Sequence, residues 1–363
     1  MGILYIVVAV LIFGFLIAIH ELGHFTAAKK LGVKVNEFAI GMGPKILSRK
    51  RGETVYAWRL LPIGGACVME GEDEDVPDPR AFTAQPRWKR VVILAAGPFM
   101  NLLAGIAIVA VFVFAFYQSE VYALPNLAAL AEDFPNAGEN GLLPGDRIVS
   151  INGNHIYYAN DFLMFMAMPD AEDGAVRLVI SRGGERITYP EFPLVRREYT
   201  QADGSRAMYF GLSFETAPVT FWGQCKYTLY TTWNYVRLVK VGLVQLISGQ
   251  VGVRQLSGPV GIVTVIHDAG TAPEYESTSE RLGTIFMITG LIAVNLAVMN
   301  LLPIPALDGG RIFALLVTFV IEKITRRRVN PKYESFVHAA GLLLLLGLMA
   351  VVMVSDVLKV FGK

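Results

Sequence analysis

His20-Glu21-Leu22-Gly23-His24 is the segment of this chain whose residue types and spacing point most directly to chemistry. Side chains four positions apart on an α-helix share a face, so two imidazoles at i and i+4 can reach one metal ion. The carboxylate of Glu21 then sits beside a water on that ion and can take its proton. A catalytic zinc usually keeps three protein ligands and one open position, so a third ligand has to come from elsewhere. Position 30 is Lys30, which excludes the extended motif with a third histidine six residues on, and the inverted HxxEH spacing is absent. The other histidines, among them His155 and His267, show no ligand spacing. The best candidate is Asp308, in Asn300-Leu301-Leu302-Pro303-Ile304-Pro305-Ala306-Leu307-Asp308-Gly309-Gly310. Read from the residues alone, Asp308 has a second reading, as a turn or helix-cap residue ahead of the two glycines.

The elements that must position these groups are mostly apolar. Of the 363 residues 53% are hydrophobic and only 17% charged, against about 25% charged in soluble domains, and the apolar residues are clustered. Four runs suit transmembrane helices: Gly2 to Ile19, Val91 to about Tyr117, Ile285 to about Leu302, and Ala339 to Leu358. The first lacks the basic start and small-residue cleavage site of a signal peptide, so it is expected to remain as a span. Cys67 and Cys225 are far apart and form no disulfide framework. No basic tract suggests nucleic acid as a partner.

Orientation follows from where lysine and arginine gather. Lys29, Lys30, Lys34, Arg87, Lys89 and Arg90 lie between the first two runs, and Arg311, Lys323, Arg326, Arg327, Arg328 and Lys332 between the last two. Both loops are expected in the cytoplasm, with the N-terminus, the 121–280 region and the C-terminus outside. The first and third runs then cross in the same direction, which brings the HExxH segment and Asp308 to similar depth near the inner face. Pro303 and Pro305 break the helix there, and non-helical backbone at membrane depth is tolerated where it is buried in protein or lines a wet cavity.

Four regions result: 1–120, the first part of a membrane core; 121–216, a small α+β domain; 217–280, an amphipathic, interfacial helical region; and 281–363, the second part of the core. Phe221 to Ile247 is aromatic-rich but carries Lys226, Arg237 and Lys240, which suits a helix on a membrane surface. Gly141 to Gly153 resembles the core of a bacterial PDZ domain. Its Pro144-Gly145-Asp146 reads as a turn, Arg147 to Ile151 as a half-buried strand, and Asn152-Gly153 as a hairpin turn. Val176 to Ser181 and Glu185 to Tyr189 read as a second hairpin. Tyr209-Phe210-Gly211-Leu212 is the candidate strand and loop for a peptide end, taken by β-augmentation, with an ordinary edge strand as the alternative.

HELGH at 20–24, FAIGMGPKI at 38–46, LPIGGACVM at 61–69, AAGPFMNLLAG at 95–105 and NLLPIPALDGG at 300–310 occur in this order. Together they make the chain resemble the site-2 protease family, in particular its bacterial RseP-like branch, over nearly its whole length. The resemblance implies a polytopic α-helical membrane protein of about four transmembrane helices, with a membrane-associated β-hairpin region and an inserted PDZ-like domain. It implies a multi-pass protein of the bacterial cytoplasmic membrane that cleaves transmembrane-segment substrates, such as membrane-anchored regulators or signal-peptide remnants, within the lipid bilayer. Carried over position by position, His20, His24 and Asp308 are Zn²⁺ ligands and Glu21 is the catalytic base. Asn300 and Pro305 match substrate-contacting positions, and Gly64-Gly65 lies in a hairpin that offers an edge strand. Ala66-Cys67 departs from the family's usual Tyr-Val, and the outside region has room for one PDZ module rather than two.

A helix cannot be hydrolysed as it stands, because its carbonyls are bonded internally. An edge strand can take over the backbone hydrogen bonds that unwinding costs in the membrane. Two other readings compete: a non-catalytic membrane scaffold presenting a PDZ domain, against which Glu21 argues, and a metal transporter, which would need ionisable residues along the spans. The third and fourth runs have essentially none in their cores.

Overall fold

The computed structural model describes residues 2–72, 76–116, 121–168, 171, 174–200, 206–250, 252, 258–271, 277–326 and 331–361. Its helices are α1 (Gly2–Lys30), α2 (Arg87–Val111, continued by a π-helical stretch, Phe112–Phe116), α3 (Ala159–Met166), α4 (Phe221–Ile247), α5 (Pro259–Thr271), α6 (Thr278–Asn300), α7 (Asp308–Thr325) and α8 (Pro331–Phe361). Its strands are β1 (Val35–Arg51), β2 (Thr54–Met69), β3 (Val121–Leu130), β4 (Arg147–Ile151), β5 (Asn154–His155), β6 (Ala175–Arg182), β7 (Glu185–Pro193), β8 (Arg197–Thr200), β9 (Arg206–Tyr209) and β10 (Leu212–Pro218). They divide into two compact units, 1–117 with 231–363, and 118–230.

In the first unit, four stretches are long and apolar enough to cross a membrane: Leu4–Lys30, Arg87–Phe116, Thr278–Asn300 and Ala339–Asp356. They match the four apolar runs. Large side chains such as Leu11, Phe15, Leu343 and Leu344 stand more than half exposed on α1 and α8. Bare apolar surface of this kind is costly in water and costs nothing against lipid tails. The third candidate span has its start written locally. Ser277 accepts the Glu280 amide and the Glu280 carboxylate accepts the Ser277 amide, a reciprocal cap.

Helix packing brings the ends of these spans together. Residues 93, 97 and 101 of α2 pass residues 24 to 20 of α1 in the opposite direction. α2 also packs on α6, with Gly105 against Val294 and Gly290 against Val109, the close approach small residues allow in membranes. Ala9 and Leu16 of α1, Ile266 of α5 and Ile292 and Ala293 of α6 form one buried cluster. A second cluster gathers Ala28, Val35, Cys67, Met69, Ile93, Leu94 and Leu315, fastening the end of α1 to the β1–β2 hairpin, α2 and α7. The hairpin is antiparallel, with Ala39 opposite Ala66 and Ile40 opposite Gly65.

The second unit is an α+β domain. Its main sheet runs β10-β3-β4-β6-β7, with β5 paired to β4. Asn152 and Gly153 both take positive φ, 48° and 79°, the requirement of the tight hairpin read from Asn-Gly. β6 and β7 form the second hairpin, with Arg182 opposite Glu185. Asp146, 1% exposed, accepts two bonds from Arg182, both at 2.7 Å, and one from the Leu143 amide at 2.8 Å. The turn before β4 is thus tied to β6. Ile148, Ile151, Leu178, Ile180 and Phe162 fill the core. Tyr209 ends β9 and Leu212 begins β10, the edge strand of the main sheet, and Phe210 packs edge-on to Phe162.

Candidate metal centre

His20 and His24 lie on one face of α1, as the i, i+4 spacing requires, and the helix runs on past them to Lys30. Their Nε2 atoms are 3.1 Å apart. Asp308 Oδ2 is 3.1 Å from His20 Nε2 and 3.4 Å from His24 Nε2. Ligands held about 2.0–2.1 Å from a tetrahedral zinc lie roughly 3.3–3.4 Å from one another. The three donors therefore have the spacing and the chemical types of a three-ligand zinc site. Among the described residues they are the one set of histidine, cysteine and carboxylate groups placed to hold an ion.

The loop that carries Asp308 is built for this turn. α6 stops at Asn300, because Pro303 and Pro305 lack the amide protons a continuing helix needs. Short-range bonds from Leu301, Leu302, Ile304 and Leu307 satisfy the amides in between. Ala306 adopts a left-handed φ of 78°, and the chain restarts as α7 with Asp308 in its first turn. The N-cap position falls to Leu307, without a side-chain cap bond, and the Asp308 carboxylate faces the two histidines instead. Gly309 lies against the Leu301 and Leu302 carbonyls, where a methyl group would overlap backbone. Helix α7 itself was not foreseen: residues 308–325 read as part of a charged loop. Arg311, counted there among the loop's cations, pairs with Glu72, which ties α7 to the segment after β2.

His20, Glu21, His24, Asn300 and Asp308 line a cavity of about 390 Å³ together with Ala66, Cys67, Val68, Met69, Glu72, Leu94, Ala306 and Leu307. Glu21 accepts a bond from the Cys67 amide. The expected substrate-contacting residues divide. Asn300 is in the wall; Gly64 and Gly65 precede the part of β2 that lines it, and Gly65 stands over Glu21. Pro305 is not in the wall and packs against Gly341 of α8. Burial pushes the Cys67 thiol upward and the Glu21 carboxylate adds to this.

Three supporting residues carried no assignment from the sequence. The Ile93 carbonyl accepts from His24 Nδ1 at 2.8 Å. A carbonyl has no proton to give, so His24 carries its proton on Nδ1 and keeps the Nε2 lone pair for an ion. Asn101, 1% exposed, lies 3.3 Å from His20 Nδ1. Gly97 sits over both rings; a methyl group there would overlap the imidazoles of His24 and His20. Gly97 and Asn101 fall in AAGPFMNLLAG, a segment matched as a whole rather than residue by residue.

Apolar spans enclosing an HExxH pair and a distant aspartate define a membrane-embedded metallopeptidase. The chain matches the profile of peptidase family M50 over residues 8–348. A Clostridium acetobutylicum protein with a provisional zinc-metalloprotease name is 37% identical over 354 residues, covering 97% of each chain. A Clostridium perfringens protein with the same kind of name is 35% identical, over 98% of this chain and 99% of its own. The regulator of sigma-W protease RasP of Bacillus subtilis is 28% identical, over 98% and 99%. The chain belongs to peptidase family M50, the site-2 protease family.

Proposed function

We propose that this chain is a zinc endopeptidase that hydrolyses peptide bonds within transmembrane segments, with His20, His24 and Asp308 as ligands and Glu21 as general base. The observation that carries this reading is the convergence of all four groups on one cavity with tetrahedral ligand spacing. The names of the clostridial relatives support zinc as the ion. When bound, zinc supplies a Lewis acid that makes water a nucleophile near neutral pH. Glu21, held by the Cys67 amide, takes the proton from that water and passes it to the leaving amine. Ala66 to Met69 at the end of β2 offer backbone beside Glu21, and an unwound substrate can pair with it as an added strand. Asn300 fixes the substrate from the opposite motif.

The orientation drawn from the lysine and arginine distribution places both termini and residues 121–216 outside. The PDZ-like reading of that region makes it a filter or binder of substrate outer parts. RasP's name ties that relative to regulation of sigma-W, which fits membrane-anchored regulators as the substrate class here. Proteomics of cells carrying Glu21→Gln tests the proposal: membrane-anchored proteins should accumulate uncut, and an unchanged membrane proteome counts against it.

A further inference from the structure

We infer that Asn101 is a positioning residue: its side-chain carbonyl accepts the Nδ1 proton of His20 and holds the imidazole in the tautomer that turns the Nε2 lone pair toward the ion. The inference rests on the reading of His20 as a ligand. Asn101 is one helical turn beyond Gly97 on α2, so both face α1. Its side chain is buried and is the one hydrogen-bonding group at His20 Nδ1 among the described residues. The two histidines therefore have different supports. The Ile93 carbonyl beside His24 can only accept, and it fixes that ring without ambiguity.

An amide offers either end within the same outline, and a half-turn about its last bond exchanges oxygen and nitrogen. The placement with Nδ2 toward His20 leaves Oδ1 buried without a protein partner. A neutral imidazole that binds metal through Nε2 carries its proton on Nδ1, and an NH₂ group there would set donor against donor. Only the amide oxygen suits a ligating His20. As placed, the buried Oδ1 goes without a protein donor, which is costly at this depth; turned to His20, that oxygen takes the Nδ1 proton. Metal-bound histidines commonly depend on such a partner for orientation and basicity.

The test uses the full-length chain in detergent micelles, with Asn101→Leu, which removes the acceptor, and Asn101→Asp, which restores an oxygen. Nitrogen NMR of the zinc-loaded chain reads the His20 Nδ1 proton and its hydrogen bond, because the ion then occupies Nε2, which otherwise faces Asp308 and His24. Chelator competition reads zinc affinity. We expect the Nδ1 proton of His20 to be hydrogen-bonded and protected from exchange in wild type and in Asn101→Asp. Asn101→Leu should lose that protection and bind zinc roughly 10–100-fold more weakly, with affinity recovered in Asn101→Asp. Wild-type zinc affinity in folded Asn101→Leu, or no recovery in folded Asn101→Asp, overturns the inference. If Asn101→Leu does not fold, the wild-type spectrum decides, and an unprotected Nδ1 proton on His20 overturns it. A wild-type chain that binds no zinc refutes the ligand assignment on which the inference rests, whereas zinc binding with an unprotected Nδ1 proton refutes the role of Asn101 alone.

Discussion

His20 Nε2 and Asp308 Oδ2 lie 3.1 Å apart, although almost the whole chain separates them in sequence. The contact joins the second half of the first candidate span to the break after the third, and each contributes what the other lacks to the proposed three-ligand site. Removing any one ligand should therefore release the ion. His20→Ala, His24→Ala and Asp308→Ala should each purify with little zinc, measured by atomic emission against a folded wild-type control. A full equivalent of zinc in Asp308→Ala, with normal cleavage, would sink the third-ligand assignment.

Gly97 provides a test that leaves every ligand in place. Gly97→Ala adds one methyl group where it must overlap both imidazoles. Overpacking of this kind costs about 1–3 kcal/mol. The variant should lose zinc affinity and show a lower unfolding midpoint. Wild-type zinc content together with an unchanged midpoint would mean that the helices part easily there, and that the close approach of α1 and α2 does not set the site.

Most of the scaffold was legible because its physics is local or compositional. Uninterrupted apolar runs marked the four candidate spans, and Asn152-Gly153 marked a hairpin whose backbone needs positive φ. His20, Glu21 and His24 were readable from helical spacing. Asp308 was harder: its own neighbourhood also suits a cap, and only the HExxH segment elsewhere favoured a ligand. Gly97, Asn101 and Ile93 were not legible as site residues, since a glycine, a lone asparagine and a backbone carbonyl acquire their roles only when α2 crosses α1. α7 was missed because its charges, Arg311 among them, read as a loop, whereas Arg311 is paired with Glu72.

The orientation can be checked without any chemistry. Accessibility tags at the N-terminus, at the C-terminus and within residues 182–186 should all report an outside location, and a tag near Arg326 should report the cytoplasm. A cytoplasmic signal from residues 182–186 would invert the topology and remove the depth argument that paired Asp308 with the histidines.

Ile148 is fully buried in the sheet domain. Ile148→Asp places an unpaired charge in that core and should cost several kcal/mol, enough to unfold the domain. If the domain filters substrates by size, this variant keeps its zinc and still cleaves substrates with short outer parts. It should also begin to cleave those with folded outer parts. Loss of short-substrate cleavage with zinc retained would show that the domain supports activity instead.

Cleavage of a transmembrane segment by the purified chain, with Glu21→Gln measured alongside, tests the central claim most directly. Glu21 touches the reacting water in this account but is not a ligand. Wild type should cut the segment, and Glu21→Gln should retain about one zinc per chain while losing at least about 10²–10⁴-fold in rate. Cleavage by Glu21→Gln at the wild-type rate would contradict the account.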